Sequence, residues 1–272
     1  MRVAVVQVGY GDGEPVAERT DRVAAMVRGL AGHDLVVLPE LWAPEGFAYR
    51  GWAERAEGLD GPTMTAMAAA ARDAGVVLHA GSIIERAAEG ADPGAQGRGL
   101  WNTSVLLGPD GARLATYRKV HRFGFGEGEP QLLEAGEDVV TADVPRPATA
   151  GDDVRVGLAT CYDLRFPELF RRLLDAGARV VLVPAAWPAA RVAHWTLLGQ
   201  ARAIEDQVFV VACNTAGTHA GHAMGGFSQV VGPTGEVLAE AGEGEQVLSV
   251  ELDVDGLDGV RQRFPVLDDR RL

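Results

Sequence analysis

The sequence predicts an α/β fold, a four-layer α-β-β-α sandwich whose two halves each run βαβαβ plus a hairpin. Three observations carry this reading. Strand-like apolar runs and helical patterns follow one another in the same order in both halves, a repeat of pattern and not of residues. Strands such as Val180-Val181-Leu182-Val183 are apolar without a break, so both of their faces need cover. Helices supply one cover, and the sheet of the other half supplies the second. A chain of 272 residues, 47% apolar and 23% charged, is long enough for one substantial core, so residues 1–272 read as a single domain.

The elements justify this in order. Strand-like runs at Arg2–Val8, Asp34–Leu38 and Val76–Ile84 are separated by helical patterns at Val16–Leu30 and Pro62–Ala74. The runs Thr103–Leu107 and Ala112–Tyr117 then flank the turn Gly108-Pro109-Asp110-Gly111. The order repeats with strand Val154–Thr160, helix Pro167–Ala176, strand Arg179–Val183, helix Ala193–Asp206 and strand Val208–Asn214. A second hairpin follows, Phe227–Val231 and Glu236–Ala239 around Gly232-Pro233-Thr234-Gly235. The stretches Ala87–Arg98 and Thr141–Asp153, rich in Gly, Ala, Pro and charge, read as surface loops.

A net charge of −13 argues against nucleic acid or an anionic membrane as partner, because phosphate binding needs clustered Lys and Arg. The chain opens directly on a strand pattern, without the regions of a signal peptide, and no apolar run has the length of a membrane span. Cys161 and Cys213 both end strand-like runs and do not form a secreted disulfide framework. These features predict a cytoplasmic protein.

Cys161 stands where the strand Val154–Thr160 stops and a helix begins, at the carboxyl edge of a sheet where ligands of α/β proteins bind. The backbone N–H groups after it are free to hold an anion. Glu40 lies just past the buried run Leu35–Leu38, and Lys119 ends the second arm of the first hairpin. Such a trio suits nucleophilic catalysis: a carboxylate takes the thiol proton, and an ammonium steadies both the thiolate and a tetrahedral oxyanion.

Three blocks, Leu38-Pro39-Glu40, Tyr117-Arg118-Lys119-Val120-His121 and Cys161-Tyr162-Asp163-Leu164-Arg165-Phe166-Pro167-Glu168, resemble the nitrilase superfamily of carbon–nitrogen hydrolases in order and spacing. The likeness runs from Val3-Ala4-Val5-Val6-Gln7 to Arg261-Gln262-Arg263-Phe264-Pro265. It implies the same four-layer fold and a Glu-Lys-Cys triad, with Glu40 as general base, Lys119 as oxyanion stabiliser and Cys161 as nucleophile. Many members carry a second glutamate after the lysine. Glu127 and Glu129 compete for that place, and the spacing to Gly136 favours Glu129. The resemblance further implies a homodimer or higher homo-oligomer, paired through Pro167–Ala176, and chemistry that needs no cofactor or metal.

Within that family, Tyr162-Asp163 in place of Trp-Glu after the nucleophile looks most like the amidase branch containing ω-amidase and deaminated-glutathione amidase. The implied substrate is a small amide bearing a carboxylate, cut to a carboxylic acid and ammonia through a thioester. Alternatives are an N-carbamoyl amino acid amidohydrolase and a non-catalytic binding relative. The Tyr162 N–H is a candidate for the oxyanion. Arg165 is a candidate for clamping a carboxylate, or else pairs with Glu168 or caps the local turn. Phe125, Trp187 and His194, with Tyr49, are candidates for the pocket wall. Taken alone, a strand-end cysteine is more often a small buried hydrophobe, which is the reading for Cys213. His219 and His222 form an H-x-x-H in a Gly-rich segment that does not aim both rings at one metal ion. His121 reads as support for the Lys119 loop, and Gly225-Gly226 as a turn or close packing.

Overall fold

The computed structural model describes residues 1–146, 149 and 151–271, so three residues of the Thr141–Asp153 stretch and the last residue of the expected domain lie outside it. The first half runs β1 (Arg2–Gln7), β2 (Gly9–Gly11), α1 (Val16–Arg28), β3 (Leu35–Val37), α2 (Trp52–Arg55), α3 (Pro62–Ala74), β4 (Val77–Arg86), β5 (Leu100–Leu107) and β6 (Arg113–Arg118). The second half runs α4 (Glu129–Leu132), β7 (Thr141–Val144), β8 (Val154–Leu158), α5 (Pro167–Asp175), β9 (Val180–Pro184), α6 (Val192–Asp206) and β10 (Phe209–Cys213). It ends with β11 (Ala216–His219), β12 (His222–Ala223), β13 (Gln229–Val231), β14 (Val237–Glu240), β15 (Gln246–Glu251) and α7 (Leu257–Arg263).

Alternation along the first strands sorts side chains into two cores. Val3, Val5, Leu35, Val37 and Val77 face the second sheet and join the core that continues through it to α5 and α6. Their neighbours Ala4, Val6, Val36, Leu38 and Leu78 face the other way, onto Val23 and Val27 of α1 and Met64 and Met67 of α3. The layers are therefore α1/α3, first sheet, second sheet and α5/α6. Pro at the start of α3 and a left-handed Gly75 after its end set its limits; Gln207, also left-handed, ends α6.

The first sheet has the order β15-β1-β3-β4-β5-β6 and the second β14-β13-β10-β9-β8-β7. In each, three parallel strands continue into an antiparallel hairpin, and one further antiparallel strand closes the opposite side. Those two closing strands, β15 and β7, correct the sequence reading. Thr141–Val144 is an edge strand and not loop: its backbone pairs on one side only with β8, and Asp143 locks the register through two hydrogen bonds to Arg155 directly opposite. A polar edge strand carries too little apolar signal to stand out. A small third sheet, β12-β11-β2, links the two halves beside the pocket described below. No helix of the described residues is long and apolar enough to cross a membrane.

Candidate active site

Glu40 owes its position to a bulge in β4. Gly81 adopts φ +72°, and a Cβ there would meet the Pro39 carbonyl oxygen at 2.0 Å, so only glycine lets the segment after β3 pass this close. Ser82 then accepts the Leu41 N–H at 3.1 Å, and the Trp42 indole donates to the Ala80 carbonyl at 2.9 Å. The next residues are held from below: the Arg19 guanidinium, fully buried, donates to the Trp42 carbonyl and to Glu45.

Lys119 follows β6 and is the chain's only lysine. Its Nζ donates to Glu40 Oε1 at 2.7 Å and lies 3.0 Å from Glu129 Oε2. The side chain is 2% exposed, so both carboxylates act on it with little screening. Burial disfavours the ammonium, but Glu129 and Glu40 outweigh burial and hold the Lys119 pKa well above the ordinary lysine value. Asn102 of β5 ties the two carboxylates together, donating to Glu40 at 2.8 Å and to Glu129 at 2.6 Å. The remaining Glu40 oxygen accepts the Ala186 N–H at 2.8 Å. Neither partner was legible in the sequence, since one is a mid-strand amide and the other a backbone group far along the chain.

Cys161 opens a short 3₁₀ segment, Cys161–Arg165, between β8 and α5, with φ +49°. A non-glycine residue in that region is strained, and such strain gathers at functional turns. The turn is fastened by Asp163, fully buried, which accepts the Thr160 N–H at 2.8 Å and the Tyr117 hydroxyl at 2.7 Å. Its other oxygen takes the His121 N–H at 3.0 Å and lies 2.7 Å from His121 Nδ1. One carboxylate thus joins the cysteine turn, β6 and the loop after Lys119, and His121 supports that loop while stacked on Phe166. The Tyr162 N–H lies in the first turn, where no intrahelical acceptor exists.

Burial pushes the Cys161 thiol well above its usual range, and the Glu40 carboxylate beside it adds to the rise while Lys119 opposes it. A thiol raised in this way needs a base to take its proton before it can act as a nucleophile. Glu129 is likewise raised by burial, opposed by Lys119.

Glu40, Lys119, Glu129, Cys161, Tyr162, Arg165 and Trp187 line one pocket, and Tyr49 joins them. Glu127 is exposed, whereas Glu129 reaches Lys119 and accepts the Phe123 N–H. Glu129→Gln is expected to lower kcat by about tenfold or more, with Glu127→Gln changing it little. Matched steady-state kinetics check the order, and the reverse order would move the role to Glu127.

Two expected wall residues stand elsewhere. Phe125 is 80% exposed, because Gly124 and Gly126, both at positive φ, turn the loop outward; Phe123 takes the wall position and packs edge-on against Tyr162. His194 is exposed on α6 behind Arg165, whose guanidinium lies 3.3 Å from His194 Nδ1 and 4.7 Å over the Trp187 ring. Among the described residues no carboxylate lies within ion-pair distance of Arg165, so the alternative pair with Glu168 does not form. Cys213 is buried between the sheets, its thiol donating to the Val6 and Val37 carbonyls. His219 is stacked on Tyr10, while His222 is exposed near Phe47. Arg191, which the sequence gave no reason to single out, also lines the pocket.

Known proteins resemble this chain along most of its length. Residues 2–262 match the carbon-nitrogen hydrolase family. A 2-oxoglutaramate amidase of Paenarthrobacter nicotinovorans is 44% identical over 271 residues, 99% of this chain and 89% of the relative. Human omega-amidase NIT2 is 33% identical, covering 99% of this chain and 95% of its own length. Among solved structures, Saccharomyces cerevisiae Nit3, a member of branch 10 of the nitrilase superfamily, superposes with a TM-score of 0.84 at 28% identity, covering 100% of this chain and 97% of Nit3. With likeness extending over its whole length, the chain belongs to the carbon–nitrogen hydrolase family and is an enzyme that acts on amides.

Proposed function

We propose that the chain hydrolyses a small amide bearing a carboxylate, releasing a carboxylic acid and ammonia through a thioester on Cys161. The observation that carries this reading is the convergence of Glu40, Lys119, Glu129 and Cys161 at the inner end of one pocket that also holds Arg165. The names of the relatives point the same way, since 2-oxoglutaramate carries an amide at one end and a carboxylate at the other.

In the first half-reaction Glu40 takes the Cys161 proton as sulfur bonds to the amide carbon. Lys119 and the Tyr162 N–H hold the oxyanion. Collapse breaks the carbon–nitrogen bond, and the departing nitrogen receives the proton from a glutamate, leaving as ammonia. Glu40, again a carboxylate, then takes a proton from water as its oxygen attacks the thioester. The carbon–sulfur bond breaks, the acid leaves and the thiol regains its proton. A free thiol at Cys161 suits a reducing compartment, and the cytoplasm is part of this reading. So is a homo-oligomer: Leu197 and Ile204, exposed on α6, offer an apolar face beside α5.

Arg165 is assigned to the substrate carboxylate. Arg165→Lys keeps the charge but loses the planar fork, and is expected to cost about 1.5–3 kcal/mol on a carboxylate-bearing amide. KM for such an amide should rise about tenfold or more, with a much smaller rise for a neutral amide of equal size. Equal losses on both, together with a lowered melting temperature, would make Arg165 a structural residue.

A further inference from the structure

Arg191 stands apart from the other arginines. Among the described residues, Arg2, Arg50, Arg72, Arg172 and Arg263 also have neither an ion pair nor a side-chain hydrogen bond, but all of those are exposed to water. Arg191 alone is half-buried without such a partner, and it is half-buried in the wall of the pocket that holds Cys161. In an acidic chain rich in available carboxylates, a guanidinium drawn partly out of water and left without a hydrogen-bond acceptor carries a desolvation cost that no oxygen of the described residues offsets. A ligand that brings an acceptor into the pocket offsets it.

The residue is also held in place. The Arg191 carbonyl accepts the Trp187 indole N–H at 2.8 Å, and its guanidinium lies 5.5 Å from the Phe123 ring centroid. Trp187 therefore connects two cations: the Arg165 guanidinium lies over its ring, and its N–H anchors the backbone of Arg191. Arg165 already spends part of its hydrogen-bonding capacity on His194.

We propose that Arg191 is a specificity-determining residue, which grips the substrate carboxylate jointly with Arg165. Two guanidinium groups on one carboxylate satisfy both of its oxygens, and the anion relieves the repulsion between the two cations. This rests on the carboxylate reading given above and names a residue outside the three sequence blocks.

The test compares wild type, R191M, R191K and R165M on glutaramate and on pentanamide, a neutral amide of the same carbon count. Glutarate serves as a competitive inhibitor that needs no chemistry. Arg191→Met is expected to lower kcat/KM for glutaramate by about 10- to 100-fold, chiefly through KM, and to weaken glutarate inhibition by a similar factor. Its effect on pentanamide should be at least about tenfold smaller, and R191K should recover part of the loss. Added to R165M, the change should cost less than it does in wild type, because the two residues share one anion. Equal losses on the two amides, or glutarate inhibition unchanged by R191M, overturn the assignment of Arg191. A wild-type enzyme that does not prefer glutaramate to pentanamide overturns instead the carboxylate reading beneath it. Should R191M fail to fold, as judged by its melting curve, R191Q carries the same comparison.

Discussion

Replacing Cys161 by alanine is expected to abolish amide turnover, a loss of about four orders of magnitude or more in kcat, while the melting temperature stays within a few degrees of wild type. The size follows from the chemistry. No other thiol lines the pocket, and without the sulfur there is no thioester to split one difficult step into two. The small structural effect follows from the local geometry, because Asp163 and Thr160 fasten the turn and an alanine leaves those hydrogen bonds in place. Cys213→Ala is the control. It removes a thiol buried between the sheets that donates to the Val6 and Val37 carbonyls and does not line the pocket, so activity should survive even where stability falls. Ammonia release measured for both variants checks the pair.

Glu40→Gln and Lys119→Ala should each lower kcat by about two to three orders of magnitude or more, the range for losing a general base or an oxyanion donor. The thiol makes the demand on Glu40 acute. Since burial holds the Cys161 thiol well above its usual range, sulfur attacks only as its proton leaves, and a glutamine cannot accept it. Lys119→Ala carries a second consequence. It leaves Glu40 and Glu129 buried and bridged by Asn102 with no cation between them, so one of the two should take up a proton. The acidic limb of that variant's pH–rate profile is therefore expected to lie at higher pH than in wild type. A Lys119→Ala enzyme with wild-type kcat and an unchanged profile would remove Lys119 from the mechanism.

The sequence was most legible where local chemistry and local structure coincide. Runs such as Val180-Val181-Leu182-Val183 read as strands covered on both faces, and Glu40, Lys119 and Cys161 meet because the two packed sheets bring the ends of β3, β6 and β8 to one pocket. What stayed hidden depends on distant partners. Asn102 sits mid-strand and matters only because register places it under two carboxylates. Ala186 contributes a backbone N–H, which no side-chain pattern announces. Phe123 and Phe125 are separated by one glycine, and only the dihedral angles of that loop decide which ring faces the pocket. The edge strands β7 and β15 have one paired side and polar alternation, so their signal is that of a loop until their partners are known. Arg191 looked like any surface arginine; its distinction is the lack of a partner, a property of the fold and not of the sequence.

The central claim is that sulfur of Cys161 carries the acyl group. Intact-protein mass followed by peptide mapping tests it most directly, on enzyme acid-quenched during turnover of a slowly hydrolysed amide. The expected result is a mass increase equal to the acyl group, confined to the peptide containing Cys161, released by hydroxylamine and absent from Cys161→Ala. An adduct on Cys213, or on any other side chain, would contradict the account.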